Sequence, residues 1–69
     1  MSFTKTYYIL FQEINGEKLY LTDHCIFDTD IYKAFKINNI ASAQIVKDYF
    51  CEKYKRELDI IPLKITYEW

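Results

Sequence analysis

From Phe3 to Ile14 hydrophobic residues occupy odd and even positions alike, in a run of Tyr, Ile, Leu, Phe and Thr. That pattern predicts a long strand with apolar side chains on both faces. Asn15-Gly16 follows and is a hairpin signal, because a two-residue type I′ turn needs positive φ at both central positions. The chain then returns through Glu17 to Thr22 as a second strand. Counting outward from the turn pairs Ile14 with Glu17, Glu13 with Lys18, Gln12 with Leu19, Phe11 with Tyr20 and Leu10 with Leu21. The opposite charges at 13 and 18 and the rings at 11 and 20 are favourable cross-strand neighbours. One face of the hairpin then holds Tyr8, Leu10, Ile14, Leu19 and Leu21. The other holds Phe3, Tyr7, Ile9, Phe11 and Tyr20.

Thr22 to Asn39 carries no regular period. Cys25-Ile26-Phe27 reads as a short strand at most, and Asp28-Thr29-Asp30 offers side chains to cap a brief helical turn through Ala34. Phe35 and Ile37 anchor the return to the body of the protein. Asn38-Asn39 then caps one long helix, expected from Ile40 to Leu58. At ~100° per residue, Ile40, Ala43, Val46, Phe50, Cys51, Tyr54 and Leu58 gather on its core side. Pro62 ends helical continuation, and Leu63, Ile65, Tyr67 and Trp69 alternate with Lys64, Thr66 and Glu68 in a last strand. A proline cannot donate to a ladder, so Pro62 belongs at that strand's beginning or on an edge.

These elements predict an α+β fold, a two-layer ββαβ unit in a single domain over residues 1–69. A small, mostly antiparallel sheet of order 2-1-3 carries one long helix on one face. That order centres the first strand, as its two apolar faces require. The helix is expected on the aliphatic face, where Leu and Ile interdigitate with Val46 and Phe50. The aromatic face is left for residues 23–39, a second copy or a partner to cover.

Composition sharpens that question. A 69-residue chain buries only roughly 60% of its unfolded surface, yet 51% of the residues are hydrophobic and 19% aromatic. Seven Tyr and five Phe exceed what one small core absorbs, and tyrosine suits interfaces because it joins an apolar body to a polar tip. The excess points to binding. Nine basic and ten acidic residues leave a net charge of −1, neither a basic footprint for nucleic acid nor the acidity of a DNA mimic. The start "MSFTKTYYILF" lacks the pattern of a signal peptide, and no apolar run approaches the ~20 residues of a membrane span. A cytoplasmic protein with Cys25 and Cys51 as free thiols is expected.

Catalytic constellations are missing. His24, the one histidine, adjoins Cys25, but neighbours along a strand point to opposite sides, and a Cys–His nucleophile needs spatial contact. Zinc needs about four ligands, and His24, Cys25, Cys51, Asp28 and Asp30 have no zinc spacing. Asp28 and Asp30 lack the Gly and distal Glu of a calcium loop, so capping explains them. With one Gly in the chain no phosphate-cradling loop can form. No enzyme, metal or cofactor is expected.

Two surfaces are candidates for partner binding. On the helix, Ile45 and Tyr49 stand at i and i+4 off the core stripe, and Glu52 and Arg56 continue that side and are spaced to pair. On the sheet, Tyr7, Phe11 and Tyr20 lie on the aromatic face. Stacked sheet aromatics also bind single-stranded nucleic acid. Here Lys5 and Lys18 are the only cations expected nearby, and Asp48, Glu52 and Glu57 neutralise Lys47, Lys53, Lys55 and Arg56. Nucleic acid is the weaker alternative, alongside a homodimer through either surface.

The stretch "YLTDHCIFDTDIYKAFKINNIASAQIVKDYF" resembles a pattern in small phage-encoded proteins of Gram-positive hosts. There a Tyr-rich hairpin leads to F-x-x-D-I-x-x-A-x-x-F, a capped helix with an early Ala and a closing strand. Phe27, Asp30, Ile31, Ala34 and Ala43 carry the likeness; only Lys36 and Ile37 stand between Phe35 and the Asn pair. The resemblance implies an accessory protein in the host cytoplasm that binds and modulates a host or phage protein, such as by inhibiting a defence nuclease. It transfers no site residue.

Overall fold

A computed structural model describes residues 1–22 and 26–69. The elements are β1 (Ser2–Ile14), β2 (Glu17–Leu21), β3 (Phe27–Asp28), a 3-10 turn (Ile31–Lys33), α1 (Ile40–Tyr54) and β4 (Asp59–Glu68). The fold is α+β, with one helix on a four-stranded antiparallel sheet.

The hairpin forms as its sequence dictates. Asn15 and Gly16 take φ of 53° and 81°, and the ladder pairs Phe11 with Tyr20, Gln12 with Leu19, Glu13 with Lys18 and Ile14 with Glu17. The strand order is β3-β2-β1-β4, not the three-stranded 2-1-3. The run β2-β1-β4 keeps that sequence, and Phe27–Asp28 adds a fourth strand beside Tyr20 and Leu21. Cys25 and His24 lie outside the described residues, so expectations resting on them end there.

Even-numbered side chains of β1 face the helix. Leu10, Leu21, Ile37, Ala43, Phe50 and Leu58 form the buried cluster between the layers, with Tyr8, Phe27, Val46 and Ile60 packed against it. The aliphatic face is therefore the one that α1 covers, as expected. Ile14, assigned to that face, is exposed because it borders the turn.

The helix departs from expectation at its end. Asn39 caps its start, with the carboxamide oxygen accepting from the Ser42 N–H at 2.8 Å. It stops at Tyr54, because Lys55 adopts the left-handed conformation at φ 56° and closes the last turn through Phe50 O. Leu58 is buried but reaches the core from the connection after the helix, so its match to the helical period is coincidental. Of the expected core stripe, Ala43 and Phe50 are buried, and Ile40, Cys51 and Tyr54 are exposed. Pro62 sits inside β4 instead of at its start, opposite Tyr8. Among the described residues β1 is the one sheet neighbour of β4, so the edge location foreseen for Pro62 holds.

The irregular segment has two functions. Asp30 caps the 3-10 turn by accepting from Tyr32 N–H, and Asp28 accepts from Asp30 N–H, the capping role expected of both. Phe35 N–H donates to Leu21 O, and Ile37 exchanges both backbone hydrogen bonds with Tyr8. Residues 35–37 thus extend the β2 side of β1 beyond the hairpin.

Candidate functional site

Helix α1 has two buried residues, Ala43 and Phe50, and much of its outer surface is apolar. Ile45 is 69% exposed and Tyr49 47%. One helical turn separates them, so they share a side as their spacing predicts. Tyr49 does not stand alone. Its ring meets buried Phe50 edge-on at 5.8 Å and Tyr54 edge-on at 6.2 Å, and Phe50 in turn meets Tyr54 at 5.1 Å and Phe27 at 6.1 Å. Lys53 Nζ lies 5.4 Å from the Tyr49 ring and 5.6 Å from the Tyr54 ring, and donates to the Tyr49 hydroxyl at 2.9 Å.

Arg56 closes the cluster. It lies past the helix end, and its guanidinium sits 5.1 Å over Phe27 while Nη1 donates to Gln12 Oε1 at 3.3 Å. The expected i, i+4 pair with Glu52 is thus replaced, because the chain leaves the helix at Lys55 and carries Arg56 towards β1. Phe27, Phe50, Tyr54 and Arg56 line a groove of about 190 Å³. The result is a bank of four rings anchored through Phe50 to the core, flanked by two cations.

On the sheet, the odd-numbered residues of β1 face away from the helix. Ile9, Phe11 and Ala34 are buried although none belongs to the cluster under α1. Segment 31–36 accounts for this cover. Ile31, Tyr32 and Lys36 line a groove of about 490 Å³ with Leu63, Lys64, Ile65 and Thr66, so the segment lies across the face towards β4. The chain itself therefore covers the middle of the aromatic face. Phe11, 6.2 Å from Tyr20 and with Lys18 5.4 Å over its ring, is only 9% exposed. It is an internal residue, which corrects its assignment as a contact; Tyr20 is half-buried.

Beyond that cover, the start of β1 and the end of β4 form a two-stranded ribbon. Its odd face carries Phe3, Lys5 and Tyr7 beside Leu63, Ile65 and Tyr67. Phe3 stacks on Tyr67 at 6.1 Å, the hydroxyls of Tyr7 and Tyr67 share a 3.2 Å hydrogen bond, and Lys5 lies 5.0 Å over the Tyr7 ring. That shared hydrogen bond raises the Tyr67 phenol above the ordinary tyrosine value, helped by burial and Tyr7 and opposed by Lys5 and Lys36.

Of the sequence candidates, the structure brings Tyr49 and Arg56 to one aromatic cluster, leaves Ile45 exposed on the adjacent turn and Glu52 on the solvent side, and places Tyr7 on the ribbon. Sequence reasoning missed Phe27, Tyr54 and Lys53, and on the ribbon Phe3, Tyr67 and Lys36. The alternation of β4 could have found Tyr67; Lys36 arrives through a segment with no period. No group of three or more His, Cys, Asp or Glu suited to a metal ion occurs among the described residues, and no described helix is long and apolar enough to cross a membrane. Comparison with family models, curated proteins and solved structures gave no match to this chain.

Proposed function

We propose that the chain is a non-enzymatic protein-binding module whose docking surface is the outer side of α1 with the aromatic bank at its end. One observation carries this reading. Tyr49 and Tyr54 are each nearly half exposed, yet their rings are fixed edge-on to each other and packed on buried Phe50. Exposed rings held by their neighbours lose little freedom on binding, and Tyr, Trp and Arg dominate the energetics of protein interfaces. Ile45 extends the apolar strip by a turn, and Arg56 supplies a planar donor at its end. The resemblance to phage accessory proteins supports the same reading. In it, the partner is a host or phage protein such as a defence nuclease, met in the host cytoplasm. Capture from a lysate of the native host tests this: the wild type retains a partner that Ile45→Asp/Tyr49→Asp loses and Tyr7→Ala keeps. Equal retention by all three removes the helix surface from the reading.

A second reading, single-strand nucleic-acid binding, is favoured by the ribbon. Phe3, Tyr7 and Tyr67 with Lys5 and Lys36 combine stacking faces and cations, and no acidic residue shares the odd face from position 3 to 7 or 63 to 67. Base stacking on aromatics contributes about 1–3 kcal/mol per base. Tyrosine fluorescence that does not change on titration with oligonucleotides at low salt ends it.

A further inference from the structure

Among the described residues no strand pairs with the outer edge of β4, and the sequence of that edge is complementary to itself. In an antiparallel ladder the N–H and C=O of one residue point to the same side, and successive residues alternate. Tyr8 directs both groups to Ile37, away from β4, so its opposite number Pro62 directs its backbone outward. Lys64, Thr66 and Glu68 therefore also point outward. Leu63, Ile65 and Tyr67 point to β1, as does Trp69, whose N–H donates to Met1 O at 3.0 Å. Lys64, Thr66, Glu68 and Trp69 are all exposed.

We propose that two copies of this chain pair through this edge, antiparallel and two-fold about Thr66, joining their sheets into one. Thr66 then faces Thr66 of the second copy, Lys64 faces Glu68, Ile65 faces Tyr67 and Leu63 faces Trp69, each on a common face. Every outward N–H from 64 to 68 finds an outward carbonyl. By symmetry the Lys–Glu pair occurs twice, on the helix side of the sheet. Neighbouring registers lack this fit. A two-fold about Lys64 or Glu68 sets like charges opposite each other. One about Ile65 sets Pro62, which has no N–H, against Glu68, and one about Tyr67 sets Thr66 against Glu68. The Thr66 register alone pairs both charges and leaves Pro62 just outside. It also brings the second copy's Trp69, 72% exposed in one chain, beside Leu63 at the groove lined by Ile31, Tyr32 and Lys36. Long exposed edge strands are templates for such pairing, and an isologous contact closes at the dimer.

The surface is separate from the α1 bank, so the dimer stands or falls independently of the proposed partner site. The test is sedimentation across a wide concentration range, with residue-resolved amide exchange at both ends of it. At low concentration Leu63, Ile65 and Tyr67 amides are protected while Lys64, Thr66 and Glu68 exchange freely; at high concentration all six are protected. Lys64→Glu and Glu68→Lys each weaken the dimer about tenfold, and the double exchange restores it to within about threefold, as cross-strand charge pairs of this order require. Thr66→Pro, which removes no backbone hydrogen bond to β1 and only the hydroxyl contact with Thr4, yields a folded monomer. A species monomeric at every concentration, a dimer with the three outward amides still unprotected, or single and double charge variants of equal affinity would each overturn the proposal.

Discussion

Tyr8 and Ile37 exchange both backbone hydrogen bonds, at 2.8 and 2.9 Å, and this one pair sets the polarity of the whole β1–β4 ladder. It turns Tyr8 away from Pro62, which is why a proline fits in mid-strand. The same parity separates substitutions one residue apart. Ile65→Pro removes an N–H aimed at β1 and leaves a carbonyl unpaired, costing about 2 kcal/mol or more. Thr66→Pro removes an outward N–H and costs under about 1 kcal/mol, mostly the Oγ–Oγ bond to Thr4 at 3.0 Å. Chemical denaturation of the two variants at low protein concentration checks the difference.

Phe50 joins the core to the surface cluster, so its loss is felt twice. Phe50→Ala removes a buried ring in contact with Phe27, Tyr49 and Tyr54 and is expected to cost about 3–5 kcal/mol. Cys51→Ala, one position on and exposed, changes stability by less than about 0.5 kcal/mol. Thermal or urea melts of the pair distinguish the helix phase observed here from one shifted by a residue.

Two turns carry opposite predictions. Gly16 sits at φ 81° with nothing within 4 Å of where a Cβ would stand, so Gly16→Ala is limited by backbone strain and costs about 1–2 kcal/mol. Lys55 bears the same kind of strain without glycine's freedom, at φ 56°. Lys55→Gly therefore stabilises the fold, by about 1 kcal/mol at most. Equilibrium unfolding of both variants should show shifts of opposite sign.

The Tyr7–Tyr67 hydrogen bond makes the ribbon sensitive to alkali. A phenol whose folded pKa is raised holds its proton better in the native state than in the unfolded chain. Its contribution to stability is complete below the ordinary tyrosine value and disappears as pH rises through the higher folded value. Phenolate absorbance should report a late-titrating tyrosine, and Tyr7→Phe should bring that transition down towards the ordinary value.

Local chemistry was the part of this fold most readable from sequence. Asn15-Gly16 dictated the hairpin and its register, Asn39 the helix start, and Asp28 with Asp30 the turn before Ala34. Each rests on contacts within a few residues. The helix end was not readable, because Lys55 in a left-handed cap has no glycine to announce it and Leu58 fell on the helical period by chance. The cover over Ile9 was equally hidden: residues 31–36 cross the sheet without any repeating pattern, so only the tertiary structure shows that Phe11 is internal and Lys36 faces Tyr67. For the candidate site, Ile45, Tyr49 and Arg56 came from helical spacing. Phe27 and Tyr54 join them through packing between separate elements, which spacing cannot express.

The proposed partner protein docks on Ile45, Tyr49 and the rings behind them. Titration calorimetry with the captured partner tests this most directly, comparing wild type with Tyr49→Ala and Tyr7→Ala. Removing a central aromatic anchor costs about 2 kcal/mol, roughly thirtyfold in affinity. That loss is expected for Tyr49→Ala and less than about twofold for Tyr7→Ala; undiminished affinity in Tyr49→Ala, with the loss appearing in Tyr7→Ala, would rule out docking on the helix.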